Sequence, residues 1–321
     1  MIIDCHVHIS ANTPAHGLMS PRLLNSVPFL FLRWRFGLNG DDAGAEVELE
    51  NRLVQTIAQT PIDAAVVLAF DAVHDEDGRL DRRNTHLYVT NDYVIELSRR
   101  HRQVLFGASV HPYRPDAVQE IERCVKAGAV LMKWLPVVQG INPADPKCIP
   151  FYDALAHHRL PLLSHTGGEQ SLPPLNSAVE DPTLLTAALD RGVTVIAAHC
   201  GTRSTPWGRD YVPQFMRMAQ EYEHFYGDTS ALNLPTRCYA YPSLLRNRVV
   251  REKLIHGSDW PIVPLPSGSQ LGYEHVVPLM LERNWMRRDV LIKQKLGFDE
   301  AYFRRGAKVL RLSPALTGTG T

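Results

Sequence analysis

The sequence has no surplus of charge of either sign: 34 Lys plus Arg stand against 34 Asp plus Glu. Binding to nucleic acid or to an anionic membrane leaves a basic footprint, so neither partner is expected. Cysteine is sparse, with five residues at Cys5, Cys124, Cys148, Cys200 and Cys238 and no C-x-x-C pair. An odd, scattered set argues against a disulfide framework and fits reduced thiols. There is no long uncharged apolar run, and no basic-then-apolar leader stands before the first apolar stretch. These absences lead us to expect a cytoplasmic protein. A G-x-G-x-x-G turn is also missing after that stretch, which removes support for a dinucleotide-binding fold.

What is present begins at once. Ile2-Ile3-Asp4-Cys5-His6-Val7-His8-Ile9 reads as a strand carrying two histidines at alternate positions. Alternate side chains of a strand share a face, so His6 and His8 can reach one metal ion, and imidazole suits zinc. The plain alternative is a half-buried strand whose histidines fall in phase.

Beyond it lies an irregular stretch, 11–42, containing Pro14, Pro21 and Pro28 and the aromatic-rich run Phe29 to Phe36. It is too short and too charged to cross a bilayer, and is expected to be a lid or an oligomer contact, or to have helices of its own. With the amphipathic helix expected over 45–59, on Val47, Leu53, Val54 and Ile57, it makes an insertion spanning 11–60. After this, apolar runs of strand length alternate with helical patterns. Strands are expected at 63–70, 104–110, 129–135, 160–165, 193–199, 224–229 and 253–257. Helices are expected at 84–101, from Pro115 to Gly128, and at 149–158, 182–191, 212–222 and 241–251. Eight strands in alternation with helices argue for a parallel sheet, and this spacing fits a single-domain (β/α)8 TIM barrel over 1–312. Helices at 274–284, 289–296 and 299–312 would pack outside it, and the small, polar tail 313–321 is expected to be disordered.

Ionisable residues recur at the ends of these apolar strands: His6 and His8, His111, Lys133, His165, His199 and Asp259. Strand ends of a barrel converge at one mouth, where active sites of this fold are built. Such groups on apolar strands are costly to bury unless paired or metal-bound. Single residues keep their plain readings. Lys133 could be an ion-pair residue, His111 a strand terminator, and Asp228 either an orienting group or the start of a turn. His256 falls behind the mouth, as core or support. The remaining histidines, among them His16, His74, His101 and His275, are expected at the surface.

Taken together, Asp4-Cys5-His6-Val7-His8, Met132-Lys133-Trp134-Leu135-Pro136, Ser164-His165, Ala198-His199-Cys200-Gly201 and His256-Gly257-Ser258-Asp259-Trp260-Pro261 resemble the amidohydrolase superfamily. The similar branch is the amidohydrolase-related one that includes aminocarboxymuconate semialdehyde decarboxylase and lactonases. The resemblance implies His6, His8, His165 and Asp259 as metal ligands. It implies that His199 holds a second metal or stays unligated to activate water or substrate. Lys133 is similar to a lysine that is carboxylated and bridges two metals in binuclear members. The implied cofactor is one or two Zn2+ ions, with Mn2+ accommodated by the same mixed donor set.

The function so implied is metal-dependent hydrolysis of a small lactone, amide or similar carboxylated substrate. Asp259 would carry the proton, and His199 or a second metal would stabilise the developing oxyanion. Two other readings stay open: a non-oxidative decarboxylase of an aromatic or muconate acid, and a non-catalytic ligand-binding barrel. In either enzyme reading Arg203, Arg209 and Arg237 could hold a substrate carboxylate. A homodimer is expected only because twofold symmetry is common.

Overall fold

The apolar runs become eight parallel strands paired in chain order: β1 (Ile3–His8), β2 (Ala64–Leu68), β3 (Val104–Ala108), β4 (Leu131–Trp134), β5 (Leu162–His165), β6 (Val195–Ala198), β7 (Phe225–Asp228) and β8 (Leu254–Ile255). They are seen in a computed structural model that describes residues 1–312. The tail 313–321 lies outside the described residues. The sheet closes on itself. Cys5 N–H donates to the His256 carbonyl at 3.0 Å, and His8 N–H donates to the Trp260 carbonyl at 2.8 Å. The expected TIM barrel is therefore formed, with its insertion after β1 and its extra C-terminal helices.

Each strand is buried on both faces, which is why the sequence reads as unbroken apolar runs. In β2, Ala64, Val66 and Leu68 pack into the interior with Leu131, Leu163 and Ile196. Ala65 and Val67 belong to the outer layer with Leu53, Tyr93 and Leu97. The register between β1 and β2 slips between Asp4 and Val7. Ahead of the slip Ile3 and Cys5 pack with the interior set, and beyond it Val7 packs outward beside Val67. Such a bulge re-aims side chains, and here it turns His6 and His8 toward the mouth.

The insertion is more regular than its composition suggests. Gly17–Met19 pairs antiparallel with Leu87–Val89, and helices Pro21–Leu24 and Val27–Phe36 follow. Both begin with proline in the first turn, where its missing N–H costs nothing. The next helix, Asp42–Ala58, buries Glu46, Leu49, Leu53 and Ile57; Val47, expected on that face, is exposed. Four hydrogen bonds latch the insertion to it. Glu46 accepts from the Asn12 and Thr13 N–H groups at 2.6 Å, the Thr13 hydroxyl at 2.9 Å and His16 Nδ1 at 2.7 Å.

Three expected helices are corrected. Residues 84–101 begin with the strand Leu87–Val89, and the helix is only Asn91–Arg100, started by Thr90 accepting from Tyr93 N–H. The 182–191 stretch is a 3-10 turn, Pro182–Leu185, followed by the short helix Thr186–Leu189. The 241–251 helix breaks at Asn247, whose side chain accepts from Val250 N–H and opens Arg248–Arg251. At the C-terminal end follow Tyr273–Leu281, Trp285–Lys295 and Glu300–Val309, the last of them packing Val309 against the interior set of Ile3, Leu131 and Leu163. A Cβ at Gly306 would lie 2.6 Å from Cys5 Sγ, so glycine lets the last helix close on β1. Among the described residues no helix is long and apolar enough to cross a membrane.

Candidate active site at the barrel mouth

β1 delivers His6 and His8, and the loop leaving β8 delivers Asp259. One ligand atom from each lies within 4.8 Å of the others. The Nε2 atoms of His6 and His8 are 3.0 Å apart, and Asp259 Oδ1 lies 3.3 Å and 3.1 Å from them. Close approach of the loop depends on Gly257, where a Cβ would meet His6 Cβ at 2.9 Å. Asp259 itself sits at φ 64° and His199 at φ 61°, left-handed conformations that non-glycine residues adopt at a cost. Two residues at one mouth carrying that strain mark a site built for function.

The histidine tautomers follow from their partners. His6 Nδ1 is 2.7 Å from Asp228 Oδ2 and therefore holds the proton, leaving Nε2 with its lone pair. Asp228 thus orients a histidine, the first of its two readings. His199 Nδ1 is 2.9 Å from the Ser230 carbonyl, which can only accept, so its Nε2 also offers a lone pair. In that neutral tautomer His199 presents an acceptor rather than a donor at Nε2. His165 Nε2 is buried without a hydrogen-bond partner. The lone pairs of His6 and His8 beside the Asp259 carboxylate oxygen fit a divalent cation, and His165 and His199 line the same cavity. Lys133 reaches the same place, with Nζ 3.3 Å from His6 Nε2.

Burial sets the charge states. It pushes the pKa of His6 and His165 down and that of His199 to about 3, so all three are neutral near pH 7. Burial also lowers Lys133 to about 8, against the raising effect of Asp228 and Asp259. For Asp228 and Asp259 burial opposes ionisation, but the neighbouring histidines outweigh it and hold both carboxyls below their ordinary range.

All six sequence-expected site residues line one cavity: His6, His8, Lys133, His165, His199 and Asp259. Glu169, which sequence reasoning missed, lines it too. Its Oε2 lies 3.7 Å from His165 Nδ1, while its Oε1 accepts from Leu172 N–H at 3.1 Å. Its only signal was its place in the loop after β5. Other positions, each left with an alternative open in the sequence, lie away from this cavity. His111 is buried away from the mouth, its Nε2 2.9 Å from the Gln139 carbonyl, and is a structural residue. Arg237 donates to the carbonyls of Thr202 at 2.9 Å and Gly168 at 2.6 Å. Arg203 stacks over Tyr239 and Arg209 over Tyr211. None of the three lines the cavity.

His256 lies outside the mouth as expected, in a buried cluster behind the wall. There Lys293 Nζ is 3.5 Å from His256 Nδ1, 2.5 Å from Asp289 Oδ2 and 2.7 Å from the Gly257 carbonyl. Lys293 therefore holds the backbone just ahead of Asp259. It lies on a helix far along the chain, with no strand-end position to mark it.

Solved structures of similar fold include 2,6-dihydroxybenzoate decarboxylase from Rhizobium, at 15% identity and a TM-score of 0.57, with 97% of this chain and 98% of that one covered. A probable 2-pyrone-4,6-dicarboxylic acid hydrolase from Acinetobacter baumannii, with citric acid bound, matches at 14% identity and a TM-score of 0.55, covering 97% and 99%. A dihydroxybenzoic acid decarboxylase from Polaromonas sp. JS666, holding manganese and 2-nitroresorcinol, matches at 15% and 0.56, covering 99% of each. A search of curated proteins finds no match. Identity this low establishes the fold alone. The sequence match to the amidohydrolase family goes further: it runs over residues 3–283, from the strand that carries His6 and His8 past the loop that carries Asp259. The chain belongs to the amidohydrolase family of enzymes.

Proposed function

We propose that the protein is a metal-dependent hydrolase that adds water to the carbonyl of a small lactone or amide. The observation carrying this reading is the Asp259 carboxylate beside the Nε2 atoms of His6 and His8, with Lys133 inside the same cluster. His6, His8 and Asp259 would hold the ion, with His165, His199 and Lys133 completing the set around one or two metals. Zinc or manganese when bound supplies Lewis acidity, lowering the pKa of water toward about 7 and polarising a carbonyl.

The chain's own groups do the rest. Asp259 Oδ1 points between the two histidines, and the carboxylate takes a proton from the attacking water. As the C–O or C–N bond of the substrate breaks, the same proton passes from Asp259 to the leaving oxygen or nitrogen. Where one metal is bound and His199 stays unligated, its Nε2 lone pair accepts a hydrogen bond and orients the water. Asp228 keeps His6 in the tautomer that leaves Nε2 available.

A decarboxylase is the second reading, favoured by the fold likeness to the Rhizobium enzyme. Lys133 weighs toward hydrolysis, since the resemblance implies that decarboxylases of the branch tend to lack this lysine. The metal-loaded protein incubated with simple lactones, amides and aryl carboxylates separates the two, with acid release and CO2 release followed in parallel. Hydrolysis is expected to give acid without CO2. Release of CO2 from aryl carboxylates, with lactones and amides untouched, would overturn the proposal.

A further inference from the structure

The cavity above the candidate site is lined on one side by the insertion, and its chemistry is lopsided. Met19, Leu23, Phe29 and Leu32 of the insertion face Leu135 and Trp260 from the barrel loops. The charged groups that reach it, Lys133, Asp259 and Glu169, gather at the histidine end. Arg203 and Arg209 stack over Tyr239 and Tyr211, Arg237 donates through Nη1 and Nη2 to backbone carbonyls with Nε unpartnered, and among the described residues no arginine lines the space. A substrate carboxylate placed away from the reacting group would meet apolar walls with no cation. Burying an unpaired charge in that way is prohibitive. Glu169, at the edge of the reacting end, would repel it further.

We infer that the substrate, outside the group that reacts, is uncharged and apolar: an alkyl- or aryl-substituted lactone or amide whose hydrocarbon part lies against the insertion. This rests on the reading of the mouth as the reacting end of a hydrolase. The cavity volume, about 190 Å3, falls below the roughly 300–1,000 Å3 of sites for drug-sized ligands, so the hydrocarbon part is short. The insertion thereby acquires a role beyond covering the site. It is the specificity wall, and Leu32 and Phe29 stand half-buried on its inner side.

The test uses the metal-loaded protein and a series of γ-lactones with side chains from methyl to hexyl, beside the same rings ending in a carboxylate. A parallel set of γ-lactams, more resistant to ring opening, is used to read binding through tryptophan fluorescence. Affinity and kcat/KM are expected to rise about three- to fourfold per methylene until the space is filled, the increment that burying one methylene supplies. The carboxylate-tipped compounds are expected to bind at least tenfold more weakly than their alkyl counterparts. Leu32→Ser is expected to flatten the chain-length dependence. Leu32→Arg, which places a cation on the wall, is expected to raise the affinity of the carboxylate-tipped compounds. Carboxylate-tipped compounds binding as tightly as alkyl ones in the unaltered protein, or affinity independent of chain length, would overturn the inference while leaving hydrolysis standing. Chain-length-dependent lactam binding with no lactone or amide turned over would uphold the apolar wall and sink the hydrolase reading instead.

Discussion

Asp228 and His6 form the hinge of the site: Oδ2 of the carboxylate takes the Nδ1 proton of the imidazole at 2.7 Å, while Oδ1 accepts the backbone N–H of His199 at 3.0 Å. One carboxylate at the end of β7 therefore fixes the tautomer of a histidine on β1 and the position of another after β6. Neither Asp228 oxygen faces a role that an amide could copy on both sides.

Asp228→Asn is expected to weaken metal binding by about 10- to 100-fold, the usual cost of losing a partner that orients a ligand histidine. The amide nitrogen must face either His6 Nδ1 or the His199 N–H, and each already presents a donor. Competition against a chromophoric chelator reads the affinity, and circular dichroism checks the fold. Unchanged affinity would remove Asp228 from the site's organisation.

Lys133 is positioned to take part in metal binding rather than to pair with a distant acid. Its Nζ is 3.3 Å from His6 Nε2, and burial lowers its pKa to about 8. The neutral amine, the form that reacts with CO2, therefore grows as pH rises through about 8. A carbamate formed there would offer two oxygens to a pair of ions. Lys133→Met is then expected to lower bound metal from about two equivalents to about one. Bicarbonate is expected to speed reconstitution of the metal-free protein, more so above pH 8 than below it. Stoichiometry unchanged by the substitution would assign Lys133 to the substrate instead.

The insertion is held down by Glu46, a buried anchor with four donors. Burial works against its ionisation, but hydrogen bonds from His16, Thr13 and Asn12 outweigh it and hold the pKa below the ordinary value. A depressed carboxyl contributes stability above its unfolded pKa and loses it as pH falls through the folded one. Proteolysis of the 11–41 segment is accordingly expected to quicken on acidification, below the ordinary glutamate range near 4.5. Glu46→Gln keeps the shape but not the charge. It is expected to cost about 1–3 kcal/mol and to expose the segment at neutral pH. Cleavage rates matching the unaltered protein would show that the latch is elsewhere.

The barrel was legible because its strands are buried on both sides: stretches such as Ala64–Leu68 contain nothing polar, so a single lysine or histidine at an end stands out. The same contrast made Lys133, His165 and His199 readable. Asp228 and Glu169 were harder, because a strand-ending aspartate also starts turns and a loop glutamate looks solvated. Strand periodicity alone placed His6 and His8 together, but it did not reveal the bulge that changes the phase of β1 between Asp4 and Val7. The helices of the insertion were one alternative among several in the sequence, because they are short and open on prolines. Arg237 looked available from its loop position; three-dimensional placement shows its Nη1 and Nη2 donating to the Thr202 and Gly168 carbonyls, with Nε left without a partner.

Asp259 carries the heaviest chemical load. Its N–H donates to the His6 carbonyl at 2.9 Å, which ties the loop after β8 to β1 and places the carboxylate beside both histidines. The left-handed backbone at φ 64° suits asparagine as readily as aspartate, so Asp259→Asn does not disturb the turn. The amide oxygen can still face a metal, but an amide cannot accept the proton of an attacking water. Turnover is therefore expected to fall by about 10²- to 10⁴-fold, the range for loss of a general base. Metal content should be at least partly retained and circular dichroism unchanged. Measuring all three on one preparation separates loss of the proton carrier from loss of the ion. Near-normal turnover with metal in place would mean that another group moves the proton, and the hydrolytic mechanism derived from this mouth would fall with it.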